Sequence, residues 1–288
     1  MRKLILILCS ALTVSCSTPA RSTEETTEAP KERIVSLNGT LTEILCASGL
    51  ESSIVGTDVT SAFPESIQKL PKLGHVKSLN AEGIIALSPT MVFGKKDEIK
   101  PELEKQLIEA GIKVLLFEQE YSVDGSKRLI KEVCATVNAE ESGKKLITKI
   151  DEDLKGISSM THVPRVLFIY ARGAGTLMVA GDGTQMQKMI SLSGADNAVN
   201  GFPDFKPLTP EALLEANPDV ILMFESGVES LEGENGIWSI PGMADTKAGK
   251  TKQLVVMDGL YVSGFGPRLG QAVTELNKKL ISVNQTSN

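Results

Sequence analysis

The sequence predicts an α/β fold: two doubly wound, three-layer lobes with mostly parallel sheets, joined by one long helix. Three observations carry this. Residues 78–93 align without a gap to residues 207–222, and each half reads as capped helix, Pro turn and buried strand. Strand-like and helix-like segments alternate on either side of both units, which is the order that builds parallel sheets. Residues 139–160 are polar, lack Pro, and place Leu146, Ile150, Leu154 and Ile157 on one helical stripe. The expected organisation is a signal peptide over 1–15, a disordered tether over 16–31, an N-terminal α/β lobe over 32–138, an interdomain helix over 139–162 and a C-terminal α/β lobe over 163–288.

Taken in order, Arg2 and Lys3 precede an apolar run over 4–12. That run is too short to span a bilayer and suits a signal-peptide core. The segment Leu12-Thr-Val-Ser-Cys16 resembles a lipobox with Cys16 as the acylated residue, although Thr13 stands where Leu is usual; the rival reading is cleavage after Ala20. Residues 17–31 hold almost no apolar side chains, so burial cannot offset their ordering entropy. A strand follows at 33–37, a helix at 40–48 and a short strand at 54–56. In the repeat, Asn80 and Thr209 are N-cap residues and Pro210 suits a first helical position. The apolar runs after Pro89 and Pro218 are strands. The first lobe continues with a helix over 101–110 that stops at Gly111, a strand at 114–117 and a helix at 126–137. In the second lobe the strands are 165–170 and 178–180, then a helix at 184–192, the second repeat unit, a strand at 253–257 and a last helix from about Arg268.

Composition narrows the function. Loss of Arg2 and Lys3 lowers Lys+Arg from 30 to 28 against 36 Asp+Glu, a net charge of −8. There is no basic run, so nucleic acid is not an expected partner. Cys46 and Cys134 belong to no CxxC or Cys/His cluster, which argues against a zinc site and leaves a buried thiol as the default for Cys134. A disulfide between the two stays open in an exported protein. The four glycines 173, 175, 181 and 183 precede no Lys-Ser/Thr and read as tight turns rather than a phosphate loop.

Two His and three Tyr are present in the whole chain. One of each stands at a telling place. His75 lies in a Gly-His-Val-Lys turn just before the first repeat unit, and Tyr170 ends a strand of the second lobe. His and Tyr are both ligands of haem iron. Arg172 shares a strand face with Tyr170, and a guanidinium beside a phenol favours the phenolate that ferric iron binds. In open α/β sheets ligands sit beyond the carboxyl ends of the strands, so the pair suggests a haem held between the lobes. The plain alternatives are a solvated turn histidine and a strand-end aromatic covering the core. His162, between the interdomain helix and Pro164, reads as a surface residue.

Four segments carry a resemblance: residues 33–44, 74–83, 170–181, and Gly264-Phe-Gly-Pro-Arg268. On these the chain resembles the substrate-binding proteins of ABC importers in the class with a single rigid interdomain helix, and within it the haem-binding proteins. The resemblance spans about 32–285. It implies a non-enzymatic, extracytoplasmic, monomeric carrier that delivers ferric haem to an ABC permease and its ATPase. It implies axial ligation by His75 and Tyr170, His75 standing where many relatives have Tyr and Lys77 where Arg is frequent. It also implies that Glu82 and Glu211, at matching places in the repeat, dock on the permease, one per lobe. Arg172, Lys77, Lys206 and Arg268 are the candidate supports for the haem and its propionates. A siderophore or cobalamin carrier of the same class is the alternative, and a metal-dependent enzyme on paired lobes the more distant one.

Overall fold

The computed structural model describes residues 32–285; the signal peptide, Cys16 and the tether expected from the sequence lie outside the described residues. The first lobe is built on β1 (Ile34–Ser36), β2 (Ile54–Thr57), β3 (Met91–Lys95) and β4 (Lys113–Phe117), all parallel in the order β2-β1-β3-β4. Its helices are α1 (Gly39–Ala47), α2 (Ala81–Ile85), α3 (Pro101–Glu109) and α4 (Val123–Thr136). Then comes α5 (Glu140–Leu154). The second lobe carries β5 (Arg165–Ala171), β6 (Leu177–Ala180), α6 (Gln185–Leu192), β7 (Asp196–Asn197), β8 (Phe205–Pro207), α7 (Pro210–Ala216) and β9 (Val220–Phe224). The short helices α8 (Glu225–Ser230), α9 (Glu234–Trp238) and α10 (Lys247–Thr251) follow, then β10 (Leu254–Met257), α11 (Gly259–Ser263) and α12 (Leu269–Gln285). Its sheet order is β10-β9-β5-β6-β8, with β7 beside β5.

Strand alternation divides each lobe into two cores, one on each sheet face. In the first, Ile34, Met91 and Phe93 pack toward α1 and α4, while Val35, Leu37 and Val92 pack with residues of α2 and α3. In the second, Val166, Phe168 and Leu222 lie on one face and Leu167, Ile169 and Ile221 on the other. This is the two-lobe, three-layer α/β fold that the repeat and the alternation predict. One detail differs: the second sheet is mixed, because β6 runs antiparallel to β5 and β8. The reversal comes from a tight hairpin over 172–176, closed by Arg172 N–H donating to the Thr176 carbonyl at 3.0 Å and begun by Gly173 at φ +71°.

The capping expectations hold. Asn80 accepts from the Gly83 amide at 2.8 Å, Thr209 accepts from the Ala212 amide at 3.2 Å, and Pro210 opens α7. Helix α4 starts a turn earlier than its apolar stripe indicates, because Ser122 caps it and Gly125 allows the chain to pass against the Glu120 carbonyl. Helix α5 is shorter than the stripe: it stops at Leu154, and Ile157 is exposed. The final helix holds this end, since Thr274 donates to the Asp153 carbonyl of the last turn at 2.8 Å and Asn277 bonds both the amide and the carbonyl of Ser158 just beyond it. Thus α5 packs on α4 of one lobe and α12 of the other. Both Cys46 and Cys134 are free thiols, the latter 3.1 Å from Ser48 Oγ.

Candidate ligand-binding site

The two lobes meet at a seam beyond β1 and β4 of the first lobe. There the first lobe presents Thr40, after β1, and Gln119 and Tyr121, after β4. In the second, the chain after β10 and α11 supplies Gly264 to Arg268. Thr40 Oγ1 and Gln119 Nε2 both donate to the Gly264 carbonyl, at 2.6 and 2.7 Å. Tyr121 packs edge-on against Phe265 at 5.4 Å. Phe265 is buried in the left-handed region at φ +51°, a strained conformation held by these contacts. Arg268 makes a bidentate pair with Glu43 of α1, Nε and Nη2 donating at 2.9 and 2.8 Å. Its guanidinium also lies 3.7 Å from the Phe63 ring centre and 4.9 Å from that of Tyr261.

His75 is exposed, in the turn that follows the carboxyl end of β2, and is the N-cap of a short 3-10 helix over Val76–Ser78. Its Nδ1 accepts from the Lys77 amide at 3.3 Å, so the ring nitrogen this bond does not use is Nε2. Tyr170 is half-buried at the carboxyl end of β5. Its ring meets Phe224 edge-on at 6.3 Å, and Phe224 leans on Phe168 at 4.7 Å. The aromatic wall holds the ring by its edge-on contact with Phe224. The Arg172 guanidinium sits 5.8 Å from the Tyr170 ring centre, so the structure brings these two together as the spacing predicts.

The remaining expected residues divide. Lys77 is exposed next to His75. Lys206 is not gathered with Tyr170. The register sets Tyr170 with Met178 and Pro207, and Ile169 with Val179 and Lys206, so Lys206 lies on the opposite sheet face and rests 4.5 Å over Phe202. Arg268 has a different partner from the expected propionate, because Glu43 already occupies its fork. Glu82 and Glu211 are exposed in the first turns of α2 and α7, and His162 is exposed.

Sequence reading missed Lys95. This lysine is buried at the end of β3, 3.2 Å from Glu98 and 3.6 Å from Asp97, with its ammonium 5.8 Å from the Tyr121 ring. Burial works against its charge, but Tyr121, Glu98 and Asp97 outweigh it and hold the pKa above the ordinary value. The signal was available, since a charge ending the apolar run Met91-Val-Phe-Gly-Lys95 requires partners. Glu43 was also missed as a functional residue. Other anionic ligands are unfavourable here. Burial, with Glu275, pushes the Tyr261 phenol up to about 12, and burial with Glu51 and Glu43 pushes the Cys46 thiol up to about 12. Among the described residues no three His, Cys, Asp or Glu side chains form a group that could hold a bare metal ion. A further groove between the lobes, about 650 Å³, is lined by Phe63, Tyr261 and Arg268 and by neither His75 nor Tyr170.

A family model described as periplasmic binding protein matches residues 34–260. Among solved structures, the periplasmic heme-binding protein RhuT from Roseiflexus sp. RS-1, in apo form, is 37% identical and covers 88% of this chain and 99% of its own, with a TM-score of 0.84. The periplasmic heme-binding protein BhuT in complex with two hemes is 32% identical, covering 88% and 98%, with a TM-score of 0.81. Among curated relatives, the uncharacterized ABC transporter substrate-binding lipoprotein YvrC of Bacillus subtilis (strain 168) is 27% identical over 268 residues, 91% of this chain and 83% of its own. A vitamin B12-binding protein of Vibrio vulnificus (strain CMCP6) is 22% identical over 260 residues, 89% of this chain and 93% of its own.

Proposed function

We propose that this chain, which belongs to the periplasmic binding protein family and serves an ABC permease and its ATPase as a substrate-binding protein, carries haem. The family consists of binding proteins rather than enzymes, and it works outside the cytoplasm. The observation that supports haem is one His in the chain between β2 and α2 and one Tyr at the carboxyl end of β5, in different lobes of a fold shared with solved heme-binding proteins. The porphyrin supplies four nitrogens to ferric iron, so the protein needs to add only the two axial ligands. His75 would approach from the first lobe through Nε2 and Tyr170 from the second as phenolate. An imidazole bound through Nε2 carries its proton on Nδ1. Haem binding would therefore replace the Lys77 amide bond to Nδ1 and loosen that turn. Arg172 would support the phenolate, and Lys77, exposed two residues from His75, would offer a cation to a propionate.

Cobalamin is the second reading, favoured by the vitamin B12-binding relative. Equilibrium dialysis with hemin and cyanocobalamin in competition separates the two. Retention of hemin undisturbed by a tenfold excess of cyanocobalamin supports haem; displacement of hemin by cyanocobalamin overturns it.

Delivery involves the lobe tips. Glu82→Lys and Glu211→Lys are expected to leave hemin affinity intact while uptake falls, the double change more than either single one, because each lobe faces its own half of the transporter. Unchanged uptake in the double variant would remove this docking role. Cys16 is proposed as the lipid attachment point. Cys16→Ser should release the protein from membranes, whereas an unmodified wild-type chain beginning at Arg21 by mass spectrometry would contradict lipidation.

A further inference from the structure

Helices α2 and α7, the tip helices of the docking reading, repeat more than a glutamate. In α2, Ile84 is fully buried and the next residue, Ile85, is 40% exposed; in α7, Leu213 is fully buried and Leu214 is 45% exposed. These positions coincide in the repeat, 82 to 85 matching 211 to 214. Residues three apart on a helix are surface neighbours, so Ile85 stands beside Glu82 and Leu214 beside Glu211. Neither glutamate has an ion-pair partner among the described residues. A lone exposed aliphatic is ordinary. Of the exposed large apolar residues, Val59, Phe63, Ile108, Ile157 and Val163 have no such counterpart in the other lobe.

We propose that each tip docks on the permease as an acid–aliphatic pair, with Ile85 and Leu214 entering apolar recesses that lie beside cations on the two halves of a two-fold membrane partner. This rests on the permease-docking reading of Glu82 and Glu211. The repetition of the same pair on both lobes points to a partner with two equivalent sites. On the first lobe Ile85 and Glu82 also border a shallow depression with Asn80, Ala81, Ala86 and Gln106, into which a partner side chain fits. The two parts of the pair do different work. An exposed carboxylate speeds encounter and is screened by salt, while a buried aliphatic slows dissociation at any salt.

The test is binding of the cargo-loaded protein to its permease–ATPase complex in lipid nanodiscs, at about 50 mM and about 500 mM NaCl, spanning weak to strong screening. Ile85→Ser/Leu214→Ser should raise the dissociation rate by about 100-fold, about tenfold per side chain, at both salt concentrations. Glu82→Gln/Glu211→Gln should slow association at low salt and match wild type at high salt. Hemin affinity should be unchanged in both double variants, which verifies folding. If the glutamate variant weakens and the aliphatic variant binds as wild type, the aliphatic contact is refuted and tip docking stands. If neither weakens, tip docking itself is refuted.

Discussion

Replacing Tyr170 by Phe is expected to abolish the phenolate-to-iron charge-transfer band of the ferric haem complex and leave a site ligated by His75. The ring would keep its place against Phe224, since the edge-on contact at 6.3 Å does not involve the hydroxyl. His75→Ala should leave the complementary phenolate site, and the double variant should lose more than the roughly 10–100-fold in affinity that removal of a supporting group costs a metal site. Tyr261→Phe is the control: its phenol, pushed up to about 12 by burial, lines the separate groove with Phe63 and Arg268, and its loss should leave the spectrum unchanged. Arg172→Ala should retain the ligand but let a proton compete better for it, so its complex should dissociate at a higher pH on acidification than wild type. Ferrous haem should bind less tightly than ferric, because the phenolate favours the higher charge. Absorbance spectra identical for wild type and Tyr170→Phe would remove Tyr170 from the iron.

The second large effect concerns the seam. Glu43→Ala leaves the Arg268 guanidinium without its carboxylate at a place where the side chains are only 7% and 21% exposed. Loss of one partner of such a pair costs about 3 kcal/mol, and urea denaturation should report a loss of this order. With Glu43 in place, Arg268→Lys should lose part of the same stability, since an ammonium cannot repeat the two-pronged contact or the flat packing on Phe63. Because the pair joins α1 of one lobe to the chain leading into α12 of the other, Glu43→Ala should also widen the lobe arrangement. Small-angle scattering would show an increased radius of gyration. A variant as stable and as compact as wild type would mean that the pair does not hold the lobes together.

Much of the fold was legible because its signals are local. The caps Asn80 and Thr209, the Pro turns and the apolar runs of β3 and β9 each declare themselves within a few residues. Helix α5 was visible by its stripe but not by its end, since Thr274 and Asn277, more than a hundred residues away, hold that end. The reversed strand β6 was hidden for a similar reason: Leu177–Ala180 and its neighbour Phe205–Pro207 are too short to reveal strand direction. In the candidate site, the Tyr170–Arg172 contact followed from strand spacing alone. The partner of Arg268 did not, because Glu43 is 225 residues distant and nothing in a helix sequence says which glutamate faces another lobe. The sheet face on which Lys206 lies was also hidden, because it depends on a register that only the assembled sheet defines.

The central proposal, a haem held between the lobes by His75 and Tyr170, is tested most directly by absorbance titration of wild type and His75→Ala/Tyr170→Phe with ferric hemin. The prediction is a Soret shift in wild type that saturates at a defined stoichiometry, with a phenolate-to-iron band, and neither feature in the double variant at the same concentrations. No Soret shift in wild type, or an unchanged titration in the double variant, would contradict it.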